Sequence, residues 1–237
     1  DSNTVSVINP TTNKVITNIP VGYNPVVILY DPENGYIYVS DSGSDIISVI
    51  NPTTNQVIAN ISSMGIGTDG IAYDPENGYI YVTNYWSNTV SVINPSTNQV
   101  IANITVGSRP SRDIYDPANG YIYVTDSGSN TISVINPTTN KVIANITVGY
   151  NPDCILYDSN NNYLYVADWG SGTVTIIATP TIISTHTTPP SPPIISTSTN
   201  TTLPTHTSSI IPSPLTTTST GFPLIYIIMV VAIVAVV

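Results

Sequence analysis

Charged side chains are scarce in this sequence, at 8% of its 237 residues, against about 25% in an average soluble domain. Only four are basic (Lys14, Arg109, Arg112 and Lys141), and the formal net charge is −10. Nucleic acid is captured through clustered lysine and arginine, so we expect no nucleic-acid partner. A surface solvated mainly by Ser, Thr, Asn and Tyr has few ion pairs to lose in acid. Two hypotheses therefore stay open: adaptation to an acidic exterior, and the Ser/Thr/Asn bias of a secreted protein.

Residues that carry chemistry are also scarce. The only histidines, His186 and His206, lie in a Thr/Ser/Pro-rich stretch, so none in the predicted folded region can activate a serine. Neither a glycine-rich phosphate loop nor metal-ligand spacing occurs. The sequence therefore predicts no enzyme, no cofactor and no metal site. The single cysteine, Cys154, lies in an apolar run and is predicted to be a small buried hydrophobic residue.

What the sequence does contain is a repeat. A Tyr-Asp pair recurs, with its aspartates 43, 42 and 42 positions apart, at Asp31, Asp74, Asp116 and Asp158. Each unit has four short runs rich in β-branched and aromatic residues, separated by Pro, Gly, Asn and Asp. This pattern predicts an all-β fold, a β-propeller of four-stranded blades, with about four units present. These four aspartates, and Asp41, Asp126 and Asp168 at the start of a later turn in their units, are predicted to cap turns with their own side chains.

The sequence resembles the YVTN-repeat, YncE-like family of β-propellers found on archaeal cell surfaces. Tyr81–Asn84 spells YVTN, and YVSD, YVTD and YVAD follow the same register at 38–41, 123–126 and 165–168. The resemblance covers about residues 2–178 and implies a fold and a surface location, without a defined activity. The family has seven blades, whereas this chain has 17 predicted strands and opens on a third strand, Thr4–Ile8. We favour an amino-terminal truncation that removed earlier blades and a signal peptide; the alternative is a closed four-bladed propeller.

The composition changes after Ile177, which divides the chain into three predicted parts. Residues 1–178 are the propeller repeats, and 179–221 are a disordered Thr/Ser/Pro-rich stalk, either O-glycosylated or a plain linker. Residues 222–237 are uncharged but shorter than the roughly 20 residues that cross a bilayer. We interpret them as a transmembrane helix cut short by the end of the chain, the alternative being an anchor signal removed during processing.

Four sequons predict N-glycosylation. Asn60, Asn103 and Asn145 occupy the same place on successive predicted fourth strands, and Asn200 lies in the stalk. The first unit lacks the motif because Pro20 follows Asn18-Ile19. Chance repetition of one short motif is the alternative explanation.

Binding residues are predicted on the loops that join fourth to first strands and second to third strands, because these loops share one face of a propeller. Variation on one face of a repeat suits recognition, and aromatic side chains with Arg and Asn suit sugars or another surface protein. The alternative is that Trp86 and Trp169 pack on neighbouring blades. The candidates that vary between units are Tyr23, Asn24, Asp69, Tyr85, Trp86, Arg109, Arg112, Tyr150, Asn151 and Trp169.

These features together predict a non-enzymatic cell-surface glycoprotein. An extracellular propeller would be anchored to the membrane by a carboxyl-terminal helix and would serve in envelope or surface-layer structure or in adhesion. Its partners would be the membrane and other surface proteins or glycans. The alternative is an extracellular binding module for a polysaccharide, a small molecule or a metal, with the loop face as its site.

Overall fold

A computed structural model describes residues 2–62 and 64–179. These residues form 17 strands in five antiparallel sheets, as the repeat predicts. Sheet 1 contains β1 (Thr4–Asn9) and β2 (Lys14–Pro20). Sheet 2 contains β3 (Pro25–Tyr30), β4 (Ile37–Asp41), β5 (Ile46–Asn51) and β6 (Gln56–Ile61). Sheet 3 contains β7 (Thr68–Asp74), β8 (Tyr79–Asn84), β9 (Thr89–Asn94) and β10 (Gln99–Thr105).

The last two sheets follow the same order. Sheet 4 contains β11 (Pro110–Asp116), β12 (Tyr121–Asp126), β13 (Thr131–Asn136) and β14 (Lys141–Thr147). Sheet 5 contains β15 (Pro152–Asp158), β16 (Tyr163–Asp168) and β17 (Thr173–Ala178). In every sheet the strands pair in chain order. The prediction of an all-β repeat built from four-stranded units is confirmed.

The turns between first and second strands form as their sequences predict. Asp31 Oδ1 accepts a hydrogen bond from the Glu33 backbone N–H at 2.9 Å, and Asp74, Asp116 and Asp158 each accept the equivalent bond. Asn162 stands where the earlier units have glycine and adopts a φ of 57°. Asparagine is among the residues that tolerate this left-handed conformation, so the turn is kept.

Consecutive sheets pack face to face through apolar side chains. Between sheets 4 and 5, Tyr123 and Ile132 pack with Leu164 and Val166, and all four are buried. The first strands of neighbouring sheets, β3, β7, β11 and β15, also contact one another in succession. Packing of this kind continues the core from sheet to sheet, so the start of every first strand lies at the same end of the assembly.

A buried hydroxyl on each second strand joins one sheet to the next. Thr83 Oγ1 accepts a hydrogen bond from the Gly70 N–H at 2.7 Å and donates one to the Ser111 carbonyl oxygen of the following sheet at 2.8 Å. Ser40 and Thr125 make the same pair of bonds. We call these three residues the bridging hydroxyls. Each satisfies two backbone groups that packing removes from water.

A second link joins the loops of neighbouring sheets. The side-chain oxygens of Asn3, Asp45, Asn88 and Asn130 each accept a hydrogen bond from a backbone N–H in the loop that opens the next sheet. Sheet 5 lacks the side chains for both links. Ala167 stands in place of the bridging hydroxyl, and Gly172 stands in place of the Asn or Asp. The face of sheet 5 turned away from sheet 4 exposes Leu156 and Val174.

Cys154 is a correction to the sequence analysis. It was expected to be a buried hydrophobic residue, but its side chain is exposed on β15. The apolar run around it was identified correctly. What the run does not reveal is that no described residue covers this face of sheet 5.

The predicted stalk (from Pro180 onward) and the predicted transmembrane segment at 222–237 lie outside the described residues. Within 2–62 and 64–179 there is no helix of the length and apolarity that crossing a membrane requires.

Candidate functional site

The two sets of loops proposed as a binding face lie together and are joined by backbone hydrogen bonds. In sheet 3, the Tyr85 N–H donates to the Gly67 carbonyl at 2.8 Å and the Trp86 N–H donates to the Ile66 carbonyl at 3.0 Å. Sheets 2, 4 and 5 repeat both bonds. The loop that opens a sheet is therefore fixed to the loop between its second and third strands. The structure thus provides a preorganised loop face.

Eight of the ten predicted binding residues lie in these loops. They are Tyr23 and Asn24 before β3, Tyr85 and Trp86 after β8, Arg109 before β11, Tyr150 and Asn151 before β15, and Trp169 after β16. Asp69 and Arg112 instead lie within strands β7 and β11.

The aromatic side chains of this face are exposed. Trp169 is 76% exposed, Trp86 and Tyr150 are 64% exposed, and Tyr23 is 57% exposed. Side chains of this size commonly supply contact area at binding interfaces. Each is held at its base by the hydrogen-bonded loops, so the exposed rings stand on fixed backbone.

Trp86 is the centre of a group that we call the Trp86 corner, made of Gly67, Tyr85, Trp86, Arg109 and Gly128. The Tyr85 and Trp86 rings meet edge to face, with centroids 4.7 Å apart. The Arg109 guanidinium carbon lies 5.8 Å from the Trp86 ring centroid, within cation–π range. Arg109 also has a φ of 54°, at the position where other sheets have Asn24, Gly67 and Asn151.

A polar row crosses the starts of three first strands, where β-bulges interrupt the pairing of each first strand with its second. Ser111 Oγ lies 2.8 Å from Asp153 Oδ1 and 3.5 Å from Asp69 Oδ2. Arg112 forms an ion pair with Asp69. Bulges redirect side chains, and here they bring Asp69, Ser111, Arg112 and Asp153 together. Burial nevertheless raises the pKa of Asp69 above its usual range, against the opposing effect of Arg112.

Asp113 is a site residue that the sequence analysis missed. Both of its carboxylate oxygens are buried and make no hydrogen bond within the described residues. Burial raises its pKa well above the usual range, and nearby Asp69 adds to the rise while Arg112 opposes it. The signal was present in the repeat, because Asp113 stands where Ile28, Ile71 and Ile155 stand in the other sheets.

The aspartates that end the second strands are a correction to the prediction that they cap turns, because their side chains do not do so. Asp41, Asp126 and Asp168 instead accept a hydrogen bond from the hydroxyl of the third strand, at 2.6, 2.7 and 2.7 Å. Their side chains are buried because the loop glycine of the same sheet approaches them closely. These carboxylates are therefore structural in the arrangement described.

The three described sequon asparagines lie on fourth strands and are exposed. In each, the side-chain Oδ1 accepts a hydrogen bond from the third-strand serine, as Asn103 does from Ser91 at 2.7 Å. Asn60, Asn103 and Asn145 therefore share one environment. Their glycosylation stays a prediction, as does that of Asn200, which lies outside the described residues.

Among residues 2–62 and 64–179, no group of three or more His, Cys, Asp or Glu side chains is arranged to hold a metal ion. The polar row and the exposed rings are the candidate ligand contacts at this face.

No protein-family model matches the chain, and no curated protein matches it. Several solved structures do match it. The hydrazine synthase of Kuenenia stuttgartiensis has a TM-score of 0.59 and 23% identity, covering 65% of this chain and 45% of that one. The dihydro-heme d1 dehydrogenase NirN has a TM-score of 0.62 and 14% identity, covering 76% of this chain and 40% of that one.

Virginiamycin B lyase from Staphylococcus aureus, in an inactive form with quinupristin, has a TM-score of 0.65 and 15% identity, covering 76% of this chain and 61% of that one. The fold is that of a β-propeller. The chain spans less than two thirds of the length of each of these three structures. At these identities the likeness concerns the fold alone, and a propeller by itself neither requires nor excludes catalysis.

Proposed function

We propose that this chain is a non-enzymatic cell-surface protein whose propeller binds glycans or other surface proteins through its loop face. The observation that carries the proposal is the set of exposed aromatic rings on hydrogen-bonded loops, above all Trp86 and Trp169. Large rings exposed on a fixed backbone do not stabilise a core, and they are well placed to supply contact area to a partner.

The positions of most acidic side chains support the proposal that the protein is not an enzyme. Asp31, Asp74, Asp116 and Asp158 are turn caps, and Asp41, Asp126 and Asp168 accept hydrogen bonds from third-strand hydroxyls. No histidine occurs among the described residues. The Ser-His pair of hydrolytic triads is therefore absent from that part of the chain, and the Ser111 hydroxyl, 2.8 Å from Asp153 Oδ1, has a carboxylate beside it but no histidine.

The surface location is supported by sequence features. The YVTN-like motifs resemble those of the YVTN-repeat, YncE-like propellers of archaeal surfaces, and the sequon asparagines that the structure describes are exposed on outer strands. We propose that residues 179–221 form a stalk and 222–237 a membrane anchor. The protein then serves in envelope structure or adhesion, or alternatively as a binding module with the same face.

The test is a glycan array probed with the full chain in detergent. We expect wild-type protein to bind a subset of glycans, and we expect Trp86→Ala with Trp169→Ala to lower the signal on that subset at least about tenfold, as loss of central aromatic contacts does. Tyr163→Ala is the matched control, because Tyr163 is an exposed aromatic residue at the opposite end of its sheet.

Unchanged binding by the double variant would remove the loop face from the proposal. Binding to none of the glycans, together with no retention of surface proteins from the native membrane, would remove the recognition function itself. Assembly of the isolated chain into a lattice supports the envelope role, whereas stoichiometric ligand uptake without assembly supports the binding module.

A further inference from the structure

We propose that the Trp86 corner binds the carboxylate of an acidic sugar, with Arg109 holding the carboxylate and Trp86 the sugar ring. This inference rests on the proposed function, because it names the ligand class of the same loop face. It follows from three residues that differ from their counterparts in the other sheets and that fit one another.

The first of these residues is Trp86, which stands where the other sheets have Gly43, Gly128 and Gly170. A side chain at Gly67 would place its Cβ 2.6 Å from Trp86 Cδ1, so the ring lies against a backbone with no room for a side chain. Gly67 also has a φ of 75°, which favours glycine. The ring is thus fixed at one edge and yet 64% exposed.

The second is Arg109, whose left-handed backbone suits the Asn or Gly of the other sheets better than an arginine. Non-glycine residues in such conformations cluster at functional sites. The Arg109 N–H is held by Asn88 Oδ1 at 2.8 Å and its carbonyl accepts the Ser127 N–H at 3.0 Å, so the backbone is well determined. The backbone at this position therefore gives no reason for an arginine, and the side chain is the feature that sets this sheet apart.

The third is Ser108, which stands where sheets 2 and 5 have Tyr23 and Tyr150. Those tyrosine rings lie against Gly43 and Gly170. With serine at this place, only the small Ser108 Oγ, 2.8 Å from a Cβ built at Gly128, lies against this glycine, which leaves space beside it for another side chain. The Arg109 stem lies there, because a Cβ at Gly128 would be 3.1 Å from Arg109 Cγ and Cδ. The stem is thereby supported while the guanidinium reaches Trp86.

The charge of Arg109 is available to a ligand. The one ion pair within the described residues is that of Arg112 with Asp69, and no described acceptor bonds the Arg109 guanidinium. Asp45, a carboxylate of the neighbouring loop, accepts the Gly67 N–H at 2.6 Å. A guanidinium held near an aromatic ring by cation–π attraction still has its planar set of N–H groups, which can form paired hydrogen bonds to a carboxylate.

An acidic sugar matches both parts of the corner. Its carboxylate meets the guanidinium, and its apolar C–H face meets the exposed indole. A neutral sugar would use the ring alone and would leave the cation without a partner.

The test measures binding of a short oligogalacturonate to the full-length protein in detergent by titration calorimetry, with its methyl ester as the neutral comparison. We expect the acid to bind at least about tenfold more tightly than the ester, since hydrogen bonds to charged groups are the stronger ones. Arg109→Asn, which installs the residue found in sheets 2 and 5, should abolish that difference. Trp86→Gly should weaken both ligands.

Lys141→Asn is the matched control, because it removes the same charge from the exposed strand β14 and should leave binding unchanged. Equal affinity for acid and ester, or an Arg109→Asn variant that keeps the preference, would overturn the acidic-sugar inference. Glycan-array binding that depends on Trp86 would then still support the proposed function. If acid and ester both fail to bind while the array is positive, the inference alone is lost.

Discussion

Asp126 and Asn84 occupy the same position in successive sheets, and they direct hydrogen bonds differently. Asn84 Nδ2 donates to Ser91 Oγ at 2.9 Å, and Ser91 in turn donates to Asn103 Oδ1 at 2.7 Å. In sheet 4 the Ser133 hydroxyl faces two acceptors, Asp126 Oδ2 at 2.7 Å and Asn145 Oδ1 at 3.1 Å. A hydroxyl has one proton, so it cannot donate fully to both. Protonated Asp126 would restore the directed chain seen in sheet 3.

The pKa of Asp126 reflects this environment. Burial raises it from 3.8 to about 6, while bonds from Ser133, Thr131 and Gly107 oppose the rise. The native state therefore binds the proton more tightly than the unfolded state does. This proton binding stabilises the native state. The stabilisation is complete below about pH 4, the ordinary pKa of an aspartate, and it is lost as the pH rises through about 6.

We therefore predict that Asp126→Asn stabilises the protein at pH 7 by about 1 to 3 kcal/mol, at about 1.4 kcal/mol per unit of pKa shift. At pH 4 the aspartate is protonated, and the substitution should have little effect. Urea unfolding at both pH values measures the difference. Asn84→Asp is the reciprocal variant and should lose stability at pH 7 more than at pH 4. An equal effect of Asp126→Asn at the two pH values would contradict the titration argument.

At the scale of strands and sheets, the bridging hydroxyls decide how one sheet is joined to the next. Thr83 is fully buried. Its hydroxyl accepts a hydrogen bond from the Gly70 N–H of its own sheet and donates one to the Ser111 carbonyl of the next sheet. Valine has the same shape and removes both bonds, which leaves the Gly70 N–H and the Ser111 carbonyl without this partner. Buried polar groups that lose a partner destabilise by about 1 to 3 kcal/mol each.

Thr83→Val is accordingly predicted to lower the free energy of unfolding by about 2 kcal/mol or more. Chemical denaturation measures it. Ala167→Thr is the control, since it adds a hydroxyl at the matching place in sheet 5, where no described strand offers the second bond. It should change stability by less than about 0.5 kcal/mol. A Thr83→Val variant as stable as the wild type would show that the hydrogen bonds between sheets are dispensable.

The repeat made the strands and turns predictable, because each is encoded locally and four times over. The strand count, the Asp31-type caps and the turn at Asn162 all follow from residues within a few positions of one another. Contacts between sheets were harder to predict. Cys154 was expected to be buried from its own strand, and its exposure depends on what lies across the sheet face. Whether a side chain is buried thus depends on the sheet packed against it as well as on the sequence of its own strand.

In the candidate site, too, the features within one unit were predictable from the sequence and the contacts between sheets were not. The exposed loop aromatics were found because they vary between units, which a single sequence displays. Asp113 also varies, yet it was missed because an isolated aspartate in a strand gives no sign of what faces it. In the structure it lies against Gly70 of the neighbouring first strand, whose missing side chain makes room for the carboxylate. That pairing joins two positions 43 residues apart in the sequence, and only the packing of sheets reveals it.

At the scale of the whole propeller, and within the described residues, aspartates whose pKa is raised by burial outnumber ion pairs. Burial is the leading cause of a raised pKa at six aspartates, namely Asp41, Asp69, Asp74, Asp113, Asp116 and Asp126. The described residues contain one salt bridge to lose in acid. A raised acid pKa means that the native state takes up protons first, so each of these groups makes the native state relatively more stable as the pH falls.

We predict that the urea midpoint of the propeller increases as the pH falls from 7 to 5 and stays high to about pH 4. The same change reduces the self-repulsion of a chain with a net charge of −10, which adds to the trend. Most proteins lose stability over this range because their paired carboxylates become protonated. Urea titrations at pH 7, 6, 5 and 4 provide the measurement. A midpoint that falls between pH 7 and 5 would mean that the ion pair outweighs the buried carboxylates, and would remove the physical support for adaptation to an acidic exterior.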